Sequence, residues 1–110
     1  MGMFDWVRWL GPLPKSRDRS RLRIALNAGL FQSKSVRLWE DERFSARAYN
    51  DGCVTITVTE EGLMKDPDGN ALPWSGTFDF YGGGHGVKWA DLRATFKDGV
   101  CQSIERLPND

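Results

Sequence analysis

The chain has 110 residues, with 15 Lys and Arg against 15 Asp and Glu, one His, 40% hydrophobic and 27% charged residues. That balance excludes a disordered, a collagen-like or a disulfide-scaffold chain, and it fits one domain able to bury a core of its own. No apolar run approaches the ~20 residues that span a bilayer, and Asp5 and Arg8 interrupt the opening stretch where a signal sequence would be unbroken, so a cytoplasmic protein without membrane association is expected.

Residues 3–10 read as a short strand or apolar anchor, with Trp6, Trp9 and Leu10 seeking burial. Gly11-Pro12-Leu13-Pro14 ends any regular element, because proline restricts both itself and the residue before it, and residues 11–20 read as a loop or linker. A β core over 21–107 follows. In Arg21-Leu22-Arg23-Ile24-Ala25-Leu26 the strict alternation favours a strand with Leu22, Ile24 and Leu26 on one face. A short helix from Ser16 or Ser20 to the Asn27-Ala28-Gly29 stop is the competing reading, so that residues 21–28 are strand or helix. Residues 30–39 are mixed, 40–43 a turn, and 44–49 alternate again before the Asn50-Asp51-Gly52 turn.

The clearest strand is Cys53-Val54-Thr55-Ile56-Thr57-Val58-Thr59, where β-branched residues suit a half-buried pleat. Asp66-Pro67-Asp68-Gly69 reads as a tight turn with proline at its second position. Trp74, Phe78 and Phe80 then share one face of a strand, and Gly82-Gly83-Gly84-His85-Gly86 connects it to a strand over residues 87–96. For the last hairpin, a three-residue loop pairs Phe96 with Val100 and Leu92 with Ile104, matching apolar with apolar, and puts Gly99 in a left-handed conformation. Short strands at regular spacing predict a mainly β fold, a small antiparallel sheet curled into a barrel or sandwich with at most one short helix. Cys53 and Cys101 lack zinc-site spacing and read as free thiols.

Several short motifs in a fixed order carry a resemblance. Met1-Gly2-Met3-Phe4-Asp5-Trp6-Val7-Arg8 precedes Pro12-Leu13-Pro14. Phe31-Gln32-Ser33-Lys34 follows, then Thr55-Ile56-Thr57-Val58-Thr59-Glu60-Glu61-Gly62, and last the hairpin segment Leu92-Arg93-Ala94-Thr95-Phe96-Lys97-Asp98-Gly99. Together they resemble a group of small uncharacterised phage and prophage proteins. The resemblance spans most of the chain, departs from the group over residues 15–29, and places Trp9 where the group often carries Cys. It implies a phage or prophage setting, in which small proteins block or sequester host components, and it transfers no activity.

Three groups of residues are candidate sites. Gly83, Gly84 and His85 belong to a glycine-rich segment whose backbone amides could meet an anion. No GK[ST] follows and no helix begins there, so it is not a P-loop. The same segment also reads as a surface loop tolerant of substitution. Trp74, Tyr81 and Trp89 lie near one hairpin and offer stacking surface. Trp89 shares parity with the presumed outer residues Asp91 and Arg93, so either a bulge turns it inward or it is exposed. Gln32 and Lys34 supply an amide and an ammonium, or simply protect an edge strand.

The basic segment Lys15, Arg17, Arg19, Arg21 and Arg23 concentrates positive charge at the start of an otherwise acidic chain. It could meet phosphates, although Asp18 breaks it and no aromatic is interleaved.

With no catalytic constellation, no cofactor motif and no metal spacing, the expected function is binding without catalysis. The protein would block a host component, or sequester a small nucleotide-like ligand in counter-defence. The alternatives are a nucleic-acid-binding accessory protein acting through residues 15–23 and a small hydrolase using His85. A homodimer is a further expectation for a small β domain.

Overall fold

The computed structural model describes residues 5–15, 17–29, 31–33, 55–84 and 86–108. Where apolar and polar residues alternate, one set turns inward and the other outward, which is what a half-buried strand requires. The strands are β1 (Asp5–Trp9), β2 (Phe31–Ser33), β3 (Thr55–Val58), β4 (Met64–Lys65), β5 (Gly76–Gly84), β6 (Val87–Lys97) and β7 (Val100–Arg106), with one helix, α1 (Arg19–Asn27), between β1 and β2.

These seven strands form one sheet in the order β4-β3-β1-β2-β5-β6-β7, nearly closed into a barrel. At the seam Leu63 bridges Val100. Met64 N–H donates to Gly99 O and Cys101 N–H to Gly62 O, both at 2.8 Å. Among the described residues the fold is therefore mainly β with one short helix. It is not wholly antiparallel, because β1 runs parallel to β3, from Trp6 beside Thr55 to Trp9 beside Val58. The first strand of the chain is inserted between β2 and β3.

Val7, Trp9, Phe31, Ile56, Val58, Phe78, Phe80, Leu92 and Phe96 turn into the core. Their rings interlock: Trp9 stacks on Phe80 at 5.2 Å between centroids, Phe78 stacks on Phe96 at 5.7 Å, and Trp9 meets Phe96 edge-on at 5.9 Å. A buried indole needs an acceptor for its N–H, and Trp9 Nε1 donates to Pro12 O at 2.7 Å. The Asp66 turn closes through Gly69 N–H to Asp66 O, while Asp66 Oδ1 accepts from the amides of Asp68 and Asn70 at 2.9 Å each.

Residues 19–27 are helical, which corrects the strand favoured for 21–26 and shortens the loop read over 11–20. Leu22, Ala25 and Leu26 are the buried set, an i, i+3, i+4 stripe, and Ile24, which the strand reading would bury, is 53% exposed. The helix binds back to the chain before it: Arg23 donates to Trp9 O at 2.9 Å and also to Gly11 O.

The last hairpin also departs from expectation. Asp98 (φ 51°) and Gly99 (φ 82°) form a two-residue turn with both residues in the left-handed region. Lys97 pairs with Val100 and Phe96 with Cys101, not Phe96 with Val100. A turn of this hand matches the twist of the flanking strands. A register shift between Thr95 and Phe96 then pairs Ala94 with Ile104 and Leu92 with Arg106, not Leu92 with Ile104. Only Ala94 beside Ile104 is an apolar pair of the kind expected, and Val100 is 40% exposed. Gly99 is left-handed as expected.

Candidate functional site

The outer face of the sheet is built by register. Trp6 stands opposite Thr55 on one side and Gln32 on the other. Gln32 pairs with Tyr81, and Tyr81 with Asp91. One transverse row thus carries Thr55, Trp6, Gln32, Tyr81 and Asp91 across β3, β1, β2, β5 and β6. All five are partly exposed, while their sequence neighbours Val7, Phe31, Ile56, Phe80, Ala90 and Leu92 point into the core.

Trp89 joins this row from the next outward position of β6. Its ring lies 5.6 Å from that of Tyr81 at an angle of 31°. Its indole Nε1 donates to Asp91 Oδ2 at 3.1 Å, so a carboxylate orients the indole. Trp89 is 47% exposed. Val87 and Ala90 are both buried although they differ in parity, and an irregularity between Gly82 and Gly84 accompanies this change. The bulge is present, and Trp89 faces outward.

The glycine segment is strand, not loop, as far as Gly84. Gly82 pairs with Ala90 and Gly84 with Val87. A Cβ on Gly83 would lie 2.5 Å from Lys88 O and 2.8 Å from Val87 O, so the backbone of β6 occupies the space a side chain would need. This corrects the expectation of a surface loop tolerant of substitution: glycine is required here by close backbone approach. His85 and Lys34 lie outside the described residues, as do Cys53 and the strand and turn readings over 34–54.

Helix α1 brings the basic segment to the tip of this hairpin. Arg17, Arg19 and Arg21 are exposed, and with Asp18 and Ser20 they line a concavity of about 470 Å³. No acidic residue stands in the first helical turn, where backbone amides and the helix dipole favour negative charge. The stem of Arg21 covers Gly86, whose Cβ would lie 3.0 Å from Arg21 Cδ. Asp18 is engaged elsewhere, in an ion pair with Arg106. Arg23 does not join the exposed group. It is committed to Trp9 O and Gly11 O, and burial, with Arg19 nearby, lowers its pKa against the opposing pull of Glu60. Lys15 is exposed ahead of the concavity.

The structure therefore brings Tyr81 and Trp89 into contact, sets Gln32 opposite Tyr81 in register, and packs Arg21 on Gly86 at the tip of the same hairpin. Trp74 sits before β5, edge-on to Phe78 and Phe96 at the margin of the core. Trp6 was missed as a site residue because its tryptophan reads as an apolar anchor until the register shows which face it takes. Among the described residues no cluster of His, Cys, Asp and Glu could hold a metal, and no helix is long and apolar enough to cross a membrane. Cys101 is a free, half-buried thiol whose pKa is raised by burial. Compared with protein-family models, curated proteins and solved structures, the chain matches none.

Proposed function

We propose that the protein binds a nucleotide-type ligand without transforming it. The base lies on the Tyr81 and Trp89 pair, and the phosphate lies at the arginines that open α1. The observation that carries this reading is the packing of Arg21 over Gly86. It sets an exposed guanidinium at the tip of the hairpin whose outer face holds the two tilted rings in contact. A nucleotide presents the same two features, a flat π surface and an anion, and neither alone would call for both parts of the site. Base stacking on an aromatic side chain is worth about 1–3 kcal/mol, and arginine suits phosphate through its forked donors.

The resemblance to phage and prophage proteins supports a setting in the host cytoplasm, where sequestering a nucleotide or blocking a nucleotide-using host component would serve counter-defence. Titration of nucleoside mono- and triphosphates and of short oligonucleotides, followed by tryptophan fluorescence at low salt, tests the reading. Trp89→Ala should weaken binding about tenfold or more, Arg21→Glu should weaken it further at low salt than at high salt, and both variants should keep the parent's circular dichroism. If no nucleobase-bearing ligand of any length binds at millimolar concentration, the reading is wrong.

A further inference from the structure

We infer that the site is longer than one nucleotide and takes a single-stranded nucleic acid laid across the strands from β6 to β1. This rests on the nucleotide reading above and extends it to a polymer. The register is the argument. Trp6 and Tyr81 occupy the same transverse row, separated by β2 and by the side chain of Gln32. Adjacent strands lie about 4.8 Å apart, so the two aromatic positions are about 10 Å apart. One base on Trp89 and Tyr81 cannot also cover Trp6. A strand of several nucleotides can, with one base at each end of the row and the Gln32 amide, both donor and acceptor, facing the base edges between them.

Charge follows the same line. Arg8 is the next outward residue after Trp6 on β1 and is exposed. It lies alongside Gly29, just past the end of α1. Arg21 lies at the tip of the β5–β6 hairpin. Both cations thus stand on the helix side of the aromatic row, one at each end of it, where a backbone running parallel to the row would place its phosphates. Rows of aromatics flanked by cations are how sequence-tolerant single-strand binders hold their ligands. A duplex hides its base faces and cannot use such a row.

The test compares thymidine monophosphate, a fluorescein-labelled dT15 and a 15-base-pair duplex by anisotropy and competition at low salt. A dT15 carrying 5-bromodeoxyuridine, photocrosslinked to the unmodified protein, maps the contacts by mass spectrometry without any substitution. The expected result is dT15 bound at least tenfold tighter than the mononucleotide and than the duplex, with crosslinks at both Trp6 and Trp89. Trp6→Ala and Arg8→Glu should weaken dT15 about five- to hundredfold and leave mononucleotide binding within about twofold. Equal affinity for dT15 and mononucleotide, equal affinity for duplex, or crosslinks at Trp89 without Trp6 overturns the inference and leaves the single-nucleotide site standing. Absence of binding by every one of these ligands overturns the inference, and if the other nucleoside phosphates also fail to bind, the nucleotide reading falls with it.

Discussion

Gly83 shows how one missing side chain can hold a hairpin together. The β6 carbonyls of Lys88 and Val87 would lie 2.5 and 2.8 Å from its Cβ, and backbone cannot swing aside as the end of a flexible side chain can. Gly83→Ala should therefore cost about 1–3 kcal/mol, the range for forcing an extra methyl into a packed site. It should appear as a lower urea midpoint with an unchanged slope. An unchanged midpoint would mean that the bulge relaxes freely. In the sequence, four glycines around one histidine suggest mobility by composition. The same residues mark close backbone contact once two of them are known to pair in a sheet, and composition alone does not separate the two. Trp89 was legible only as a choice, because its parity was right for exposure but a bulge could have reversed it.

At the scale of elements, α1 is the part that the sequence disguised. Arg21 to Leu26 alternates well enough for a strand. The helical stripe of Leu22, Ala25 and Leu26 uses two of the same three apolar residues, so pattern alone does not decide between them. What decides is tertiary. Arg23 reaches the carbonyls of Trp9 and Gly11, contacts a local reading cannot anticipate. Arg23→Met keeps the apolar stem and removes both hydrogen bonds, leaving two carbonyls poorly satisfied. The expected loss is about 1–3 kcal/mol, with faster amide exchange concentrated in α1, and a global loss of protection with no local excess would count against the staple. Strands fared better: Thr55 to Val58 and Phe78 to Phe80 were readable from alternation. For the last hairpin the Asp98-Gly99 signal proved stronger than matching Phe96 with Val100, since a bulge can re-phase side chains after the turn.

Across the whole molecule, stability rests on rings contributed by distant strands. Phe96 on β6 touches Phe78 on β5, Trp9 on β1 and Trp74 before β5, and it is 2% exposed. Phe96→Ala should cost about 3–5 kcal/mol, a large part of the roughly 5–15 kcal/mol that holds a domain folded. Calorimetry should show the melting temperature falling sharply or the transition vanishing, and a melting curve matching the parent's would exclude Phe96 from the core. The mainly β class and the apolar inner face were legible because period-two patterning reports both. The parallel pairing of β1 with β3 was not, since nothing local in either strand names its neighbour.

That pairing has a consequence for the chain as it leaves the ribosome. β1 is made before β3, one of its two partners, which is synthesised only after a long intervening stretch. Until then Val7 and Trp9, both fully buried at the end, have half of their seat missing. Contacts this distant in sequence form slowly because a long loop must close before any of them forms. Assembly of the sheet is therefore a late event. The interval before it, when two large apolar side chains are uncovered on the growing polypeptide, is when chaperones and proteases have their best access.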